Sequence, residues 1–344
     1  MKKKAKKTWI IVCGLILVPV MVVRAEVRPT AQITFIVKDD FEKPVANVDV
    51  SMSTFHHWEP REGFGKDILS RYSTKTDSTG KAVLTGRSLT GEFNYGTYAA
   101  TGYYLNGRNS YCFNKKSLGR WEPWNPTIEI IFKPVLNPIP YIGGAGRKKI
   151  PKRETAIGFD LFKNDWIAPY GKGKSGDIIF TLEEKIPFEI SGKPYDYRLK
   201  ISFPNKGDGI QTCYVPRDSG ELPMPRYAPK EGYESNLELK KGYDKNGFFN
   251  ERDDQNFFIR VRTVLDKDGK VKSALYGKVE GNIKFDRTNF FAMNYGLNPN
   301  PLDVNMEFDP EKNLRFPSWQ KTQKQVEAVA EANLGGPAEK KTTQ

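Results

Sequence analysis

The stretch Ile33-Thr34-Phe35-Ile36-Val37-Lys38-Asp39-Asp40, followed by Val48-Asp49-Val50-Ser51-Met52-Ser53, sets the fold class. The first run is rich in β-branched and aromatic residues and closes on charge. The second alternates apolar and polar residues with period two, the repeat of a strand with one buried face. Thr76-Asp77-Ser78-Thr79-Gly80 reads as a turn, because Asp accepts hydrogen bonds from nearby backbone and Gly takes positive φ. Ala82-Val83-Leu84 follows as a strand. Thr97–Tyr104, Ser110–Phe113 and the alternating Ile128, Ile130 and Phe132 are further strand candidates, and no helical period interrupts residues 30–135. Short strands separated by turns predict a β-sandwich.

Lys43-Pro44-Val45-Ala46-Asn47-Val48-Asp49-Val50, with Thr76-Asp77-Ser78-Thr79-Gly80-Lys81-Ala82, resembles the carboxypeptidase regulatory-like (transthyretin-like) module, over roughly residues 31–135. That family shows a strand, an acidic turn, a Pro-Val-x-x-Val-x-Val strand and a Thr-Asp-x-x-Gly-x turn. The resemblance implies an accessory sandwich of the kind fused to enzymes, receptors and surface proteins, and it implies a fold more than a function. The match breaks between Thr54 and Ser70, where Phe55-His56-His57-Trp58-Glu59-Pro60 belongs to a longer insertion.

Beyond residue 135 the composition shifts. Pro134, Pro138 and Pro140 precede Gly143, Gly144 and Gly146, and then Arg147, Lys148, Lys149, Lys152 and Arg153 place five cations in seven residues. This reads as a linker over 136–154 between a first module at 26–135 and a second β-rich module at 155–316. In the second module Asp177–Phe180 is a short strand. Tyr197, Leu199, Ile201 and Phe203 alternate with polar residues, and Ile259–Arg262 leads through Asp266-Lys267-Asp268-Gly269 into Ser273–Val279, the clearest hairpin in the chain. Residues 215–256, rich in Pro, Gly and charge, read as long loops. Within 317–344, Ser318–Asn333 has helical spacing and a disordered tail follows. The expected architecture is all-β: two β-sandwich-like modules joined by a Pro/Gly/basic linker, with a short C-terminal helix.

The 344 residues carry 54 Lys+Arg against 41 Asp+Glu, a formal net charge of +13. Residues 1–25 read as a signal peptide: five lysines among residues 2–7, an uncharged apolar run from Trp9 to Val23, and Val23-Arg24-Ala25 as a cleavage site. The run is short for a membrane span, which needs about 20 residues, although an uncleaved anchor is the alternative. Cys13 follows Ile11-Val12 and comes too early for a lipidation site. Removing this segment, with its six basic and no acidic residues, lowers the balance to +7. The basic pI therefore argues for targeting, and the lowered balance weakens the case for a nucleic-acid partner. Export places the chain in the periplasm, at the cell surface or outside the cell, with membrane contact only through this segment if it is retained.

The candidate chemistry is thin. Cys112 and Cys213 form an even pair in an oxidising compartment, so they are either one bridge between the modules or two separate thiols; a bridge needs Cα atoms within about 7 Å. His56-His57 falls short of zinc-site spacing, and neighbours on a strand point to opposite faces. Gly171-Lys172-Gly173-Lys174-Ser175-Gly176 imitates a phosphate loop, but Ala168 stands where the first Walker glycine belongs and a strand follows instead of a helix. The loop therefore reads as flexible and basic. The turns at Asp77, Asp244 and Asp266 lack the full ligand series of a calcium loop; Asp244 with Glu251, Asp253 and Asp254 comes nearest. Trp58, Trp121, Trp124, Trp166 and Tyr170 fall in Pro- or Gly-containing segments and are the candidate sugar-stacking platforms. The competing and favoured reading makes them core, since aromatics bury more often than they stand exposed.

No catalytic residue, metal site or cofactor is indicated. The sequence points to an exported bacterial envelope protein of non-catalytic binding or scaffolding type, with a glycan or an envelope protein as candidate partner. The alternative is a polysaccharide-active enzyme using carboxylates of the second module.

Overall fold

The computed structural model describes residues 28–309, apart from 60–65, 98–99, 145–146, 216–219, 250–251 and 253. The signal segment and the expected C-terminal helix lie outside the described residues. Nine strands come from the first part of the chain: β1 (Thr30–Asp39), β2 (Asp49–Glu59), β3 (Lys66–Lys75), β4 (Lys81–Arg87), β5 (Glu92–Thr97), β6 (Asn109–Cys112), β7 (Lys115–Ser117), β8 (Arg120–Glu122) and β9 (Thr127–Phe132). They build two sheets, one in the order β4-β1-β8-β7 with β9 also beside β1, the other β3-β2-β5-β6. β1 runs antiparallel to β4 and parallel to β9, with Phe35 opposite both Ala82 and Ile128.

Alternation dictates this module. β4 and β9 bury every second residue, and Ala31, Ile33, Phe35 and Val37 of β1 meet Val50, Met52, Phe93 and Phe132 in one core. Complete burial of a residue such as Phe35 contributes roughly 1.5–3 kcal/mol. The turn before β4 forms as its residues dictate: the Asp77 carboxylate accepts from the Thr79 and Lys81 amides, and Gly80 sits at φ +74 with its α-carbon against the Val37 carbonyl, where a Cβ would lie 2.2 Å from that oxygen.

Fourteen strands follow: β10 (Ile142–Gly144), β11 (Arg147–Lys149), β12 (Ile157–Asp160), β13 (Asp165–Trp166), β14 (Ile178–Ile186), β15 (Tyr195–Ser202), β16 (Gly209–Tyr214), β17 (Asn236–Asp244), β18 (Gly247–Phe249), β19 (Gln255–Leu265), β20 (Val271–Val279), β21 (Lys284–Phe285), β22 (Phe290–Ala292) and β23 (Tyr295–Leu297). They form a five-stranded sheet β10-β23-β20-β19-β16, a six-stranded sheet β13-β12-β14-β15-β17-β18 and a small sheet β11-β22-β21. Their core is aromatic at its centre, where Phe159, Trp166, Phe180 and Phe291 pack ring on ring with centroids 4.7–6.1 Å apart.

Several segments differ from the sequence expectation. The stretch 136–154 contains β10 and β11, which pair with β23 and β22 and so belong to the second module's sheets. Residues 215–256 include β17, paired with β15 from Asn236 to Tyr243, and β18. β3 occupies part of the insertion after Thr54 and pairs with β2 across a bulge at Phe55–His57. In each case the strand is short or surface-lying, so a charged or half-exposed composition hides it.

Candidate functional site: a buried ionic joint between the modules

A dense group of polar side chains lies where the modules meet. Glu307 is 1% exposed. Its Oε1 accepts from the Leu136 amide at 2.6 Å and the Tyr104 hydroxyl at 3.2 Å; its Oε2 accepts from the Asn137 amide at 3.1 Å and pairs with the Arg226 guanidinium at 2.8 Å. Arg226 reaches on to Asp40 of the first module at 3.2 Å. Burial opposes its charge, but the bonds and ion pairs with Glu307 and Asp40 outweigh this and raise its pKa. Burial, then the Glu307 charge, pushes the Tyr104 hydroxyl far above the ordinary tyrosine value, so it stays a donor.

Further bonds widen the joint. The Lys133 ammonium, just past β9, donates to the carbonyls of Leu222, Pro223 and Met224 at 2.7, 3.2 and 3.3 Å. Leu105 and Glu221 exchange bonds in both directions, and Asn305 donates to the Asn137 carbonyl at 2.7 Å. Tyr104 and Tyr141 flank Phe308, and the fully enclosed Lys278 ammonium lies over the Tyr141 and Phe308 rings, 2.8 Å from Glu280. Met224, Ala228 and Met306 pack with Phe258, Ala274 and Tyr276 to seat the strap that carries Arg226. With its two oxygens engaged by the Leu136 and Asn137 amides, by the Tyr104 hydroxyl, which also donates to the Phe308 carbonyl at 2.7 Å, and by the Arg226 guanidinium, Glu307 is built to hold position.

A second buried network pins loops inside the second module. Asp177 accepts from the Leu161 amide at 2.9 Å and the Arg262 Nε at 2.9 Å, and Asp160 accepts from the Lys174 and Ser175 amides at 2.8 and 3.1 Å. With Asp165 holding the Lys172 amide at 2.9 Å, these amides of the Gly171–Gly176 loop are already taken by protein carboxylates. The phosphate-loop imitation is thus a tethered turn, more fixed than its composition suggests. Arg262 sits at φ 55 in a bulge of β19, capped by Asp208, which accepts from the Arg262 and Thr263 amides at 2.9 and 2.8 Å.

The five candidate aromatics do not gather. Trp121 and Trp166 are each 4% exposed and belong to the two separate cores, Trp121 donating to the Ser88 carbonyl at 3.0 Å. Trp58, Trp124 and Tyr170 are 55%, 38% and 41% exposed, on β2, after β8 and in the loop after β13 respectively. Cys112 and Cys213 are free thiols: Cys112 lies exposed on an edge strand of the first module and Cys213 half-buried on an edge strand of the second, so no bridge joins the modules. His56 is engaged by Ser70 at 3.0 Å and by Arg28, and burial together with the Arg28 charge lowers its pKa. The Asp77, Asp244 and Asp266 carboxylates each accept amides of their own turns. Among the described residues no cluster of His, Cys, Asp and Glu fits a metal ion; Glu251 and Asp253 lie outside them.

No signal in the sequence marked the joint. Its partners stand far apart in the chain, and Arg226 lies in a Pro-rich stretch that reads as loop.

No family model matches the chain, and no curated protein matches it. Among solved structures it is similar to a mutant of the shaft pilin SpaA from Lactobacillus rhamnosus GG, at 12% identity and TM-score 0.22, over 56% of this chain and 92% of that one. It is similar to a streptococcal ancillary pilin at 12% identity and TM-score 0.20, over 68% and 54% of the two chains. It is also similar to the major pilin subunit BcpA of Bacillus cereus at 12% identity and TM-score 0.21, over 83% and 98%. At these scores the likeness carries no argument about role, and the functional reading rests on the chain's own residues.

Proposed function

We propose that the protein is an exported, non-catalytic structural protein of the bacterial envelope, whose joint holds two β modules in one fixed relation. The observation that carries this reading is the engagement of Glu307 by donors from the first module, the connecting segment and the second module. A buried charge network of this kind is weak as a source of stability but selective for one geometry. The export half of the reading rests on residues 1–25. The Pro44 bridge to Lys38 and the Asp77–Gly80 turn support a transthyretin-like first module. A glycan ligand, on this reading, belongs to the three exposed aromatics, Trp58, Trp124 and Tyr170.

The test uses spin labels at Cys112 and at Tyr214→Cys, with Cys13 and Cys213 replaced by serine. The expected result is one narrow inter-label distance that broadens in Glu307→Ala. A distribution already broad in the parent chain removes the fixed-joint reading. Release of reducing ends from envelope polysaccharide by the purified chain removes the non-catalytic one.

A further inference from the structure

The basic run that closes the connecting segment has a definite place in the fold. β11, β22 and β21 form a three-stranded sheet with β22 in the middle. Arg147 stands opposite Ala292, and Lys284 stands opposite the same Ala292 from the other side; Lys149 stands opposite Phe290. Residues in register share a face, so Arg147, Lys149 and Lys284 rise from the outer face, while Phe285 and Phe291 point to the core. All three cations are exposed, and Phe290 and Ala292 between them are half-buried. The Arg147 guanidinium lies 5.3 Å from the Phe290 ring.

Among the described residues no carboxylate pairs with Arg147, Lys149 or Lys284. The nearest acid in sequence, Asp286, is committed to its turn, accepting from the Thr288 amide at 2.7 Å and the Thr288 hydroxyl at 2.6 Å. The exposed Lys152 follows β11, and the exposed Arg287 follows β21. The face therefore has two cationic rails, on β11 and β21, either side of a partly apolar floor on β22. Two inter-strand spacings set the rails about 10 Å apart, and Arg147 and Lys149 lie about 7 Å apart along one rail.

We propose that this face binds a linear, phosphate-bearing polyanion lying along β22 between the rails. The spacing between rails accommodates one extended chain with charges facing both sides, its phosphates meeting Arg147 and Lys149 along β11 and Lys284 from β21. A flat anionic membrane would engage only the tips of the cations, whereas a chain lying between the rails meets them from both sides. The inference goes beyond the scaffold reading and does not involve the joint, so either can fail alone.

The probe is linear polyphosphate, bound to the full chain and followed by fluorescence anisotropy across a salt series. Contacts by the three cations give a slope of log affinity against log salt of about −2, at roughly 0.7 per neutralised phosphate on a single strand. The variant Arg147→Ala/Lys149→Ala/Lys284→Ala is expected to lose at least tenfold in affinity at low salt and most of the slope. The control Lys43→Ala/Lys267→Ala/Lys272→Ala, with the same change in net charge, is expected to keep both. Should the triple variant lose its fold, Lys149→Gln carries the test, with the slope shallower by about 0.7. Absence of binding by the parent chain, or equal losses in variant and control, overturns the proposal. So does tighter binding to vesicles of anionic lipid than to polyphosphate at equal phosphate concentration.

Discussion

The two modules bury their charges differently. The first closes its core with alternating apolar residues and keeps nearly all of its ions at the surface; Asp39 is its one deeply buried charge among the described residues. The second encloses Asp160, Asp177, Asp208, Lys278 and Glu307 behind an aromatic centre. Apolar alternation is enough to specify a small sandwich. A larger module with long connections needs buried carboxylates to tie its loops to the sheet, because each loop brings backbone amides that must find acceptors.

The largest expected effect comes from breaking that tie. Asp177→Ala leaves the Arg262 guanidinium without its main partner and the Leu161 amide without an acceptor, and is expected to cost about 3–5 kcal/mol in denaturant unfolding. The matching cut in the first module removes apolar volume instead: Phe35→Ala is expected to cost about 3–5 kcal/mol. The two are told apart by backbone amide exchange, which should accelerate at Leu161, whose amide Asp177 holds, for Asp177→Ala and along β1 and β9 for Phe35→Ala. Uniform acceleration in both variants would erase the contrast.

A smaller effect probes packing against Trp121. Gly91 lies at φ +77 with a would-be Cβ 2.8 Å from the indole ring. Gly91→Ala is expected to cost about 1–3 kcal/mol and to change tryptophan fluorescence. An unchanged midpoint would mean that the indole moves freely, against its bond to Ser88.

The strands that the sequence made legible are those with one clean buried face. β1, β4, β9 and β15 alternate, and the Asp266–Gly269 turn marks the β19–β20 hairpin. β17 escaped because only Leu239 and Gly242 are fully buried along a run of Lys and Glu, and β3 because Leu69 is exposed and Ile68 only partly covered. Of the candidate site residues, Trp121 and Trp166 are core, as competing burial predicts for large aromatics. The joint was illegible for a different reason: a buried charge differs from an exposed one only in its neighbours, and those are fixed by tertiary contact alone.

The smallest effect is in pH, and its sign differs between the modules. In the first, the Thr79 hydroxyl and then the Lys81 and Thr79 amides hold Asp77 below the usual aspartate range. Its contribution is complete above that range and is lost as pH falls through the depressed folded value. In the second, burial pushes Asp208 up against the pull of its amide bonds. There the folded state keeps the proton longer, so stability declines as pH rises from the ordinary value of about 3.9 to the raised one. Carboxyl carbon shifts followed through an acid titration are expected to place the Asp208 midpoint above that of Asp77. The reverse order would mean that the amide bonds to Asp208 outweigh its burial.

The joint also has a place in time. The first module's sheets close within residues 30–132, whereas the bond from Tyr104 to Glu307 spans 203 positions. A contact of that separation forms only after the chain between has been made and ordered, and it is slow for that reason. A first module folded ahead of the rest of the chain would leave its Asp40, Tyr104 and Lys133 facing water. The locking of the two modules, which needs both the strap with Arg226 and the run at Glu307, is expected to follow the closing of the first module's sheets.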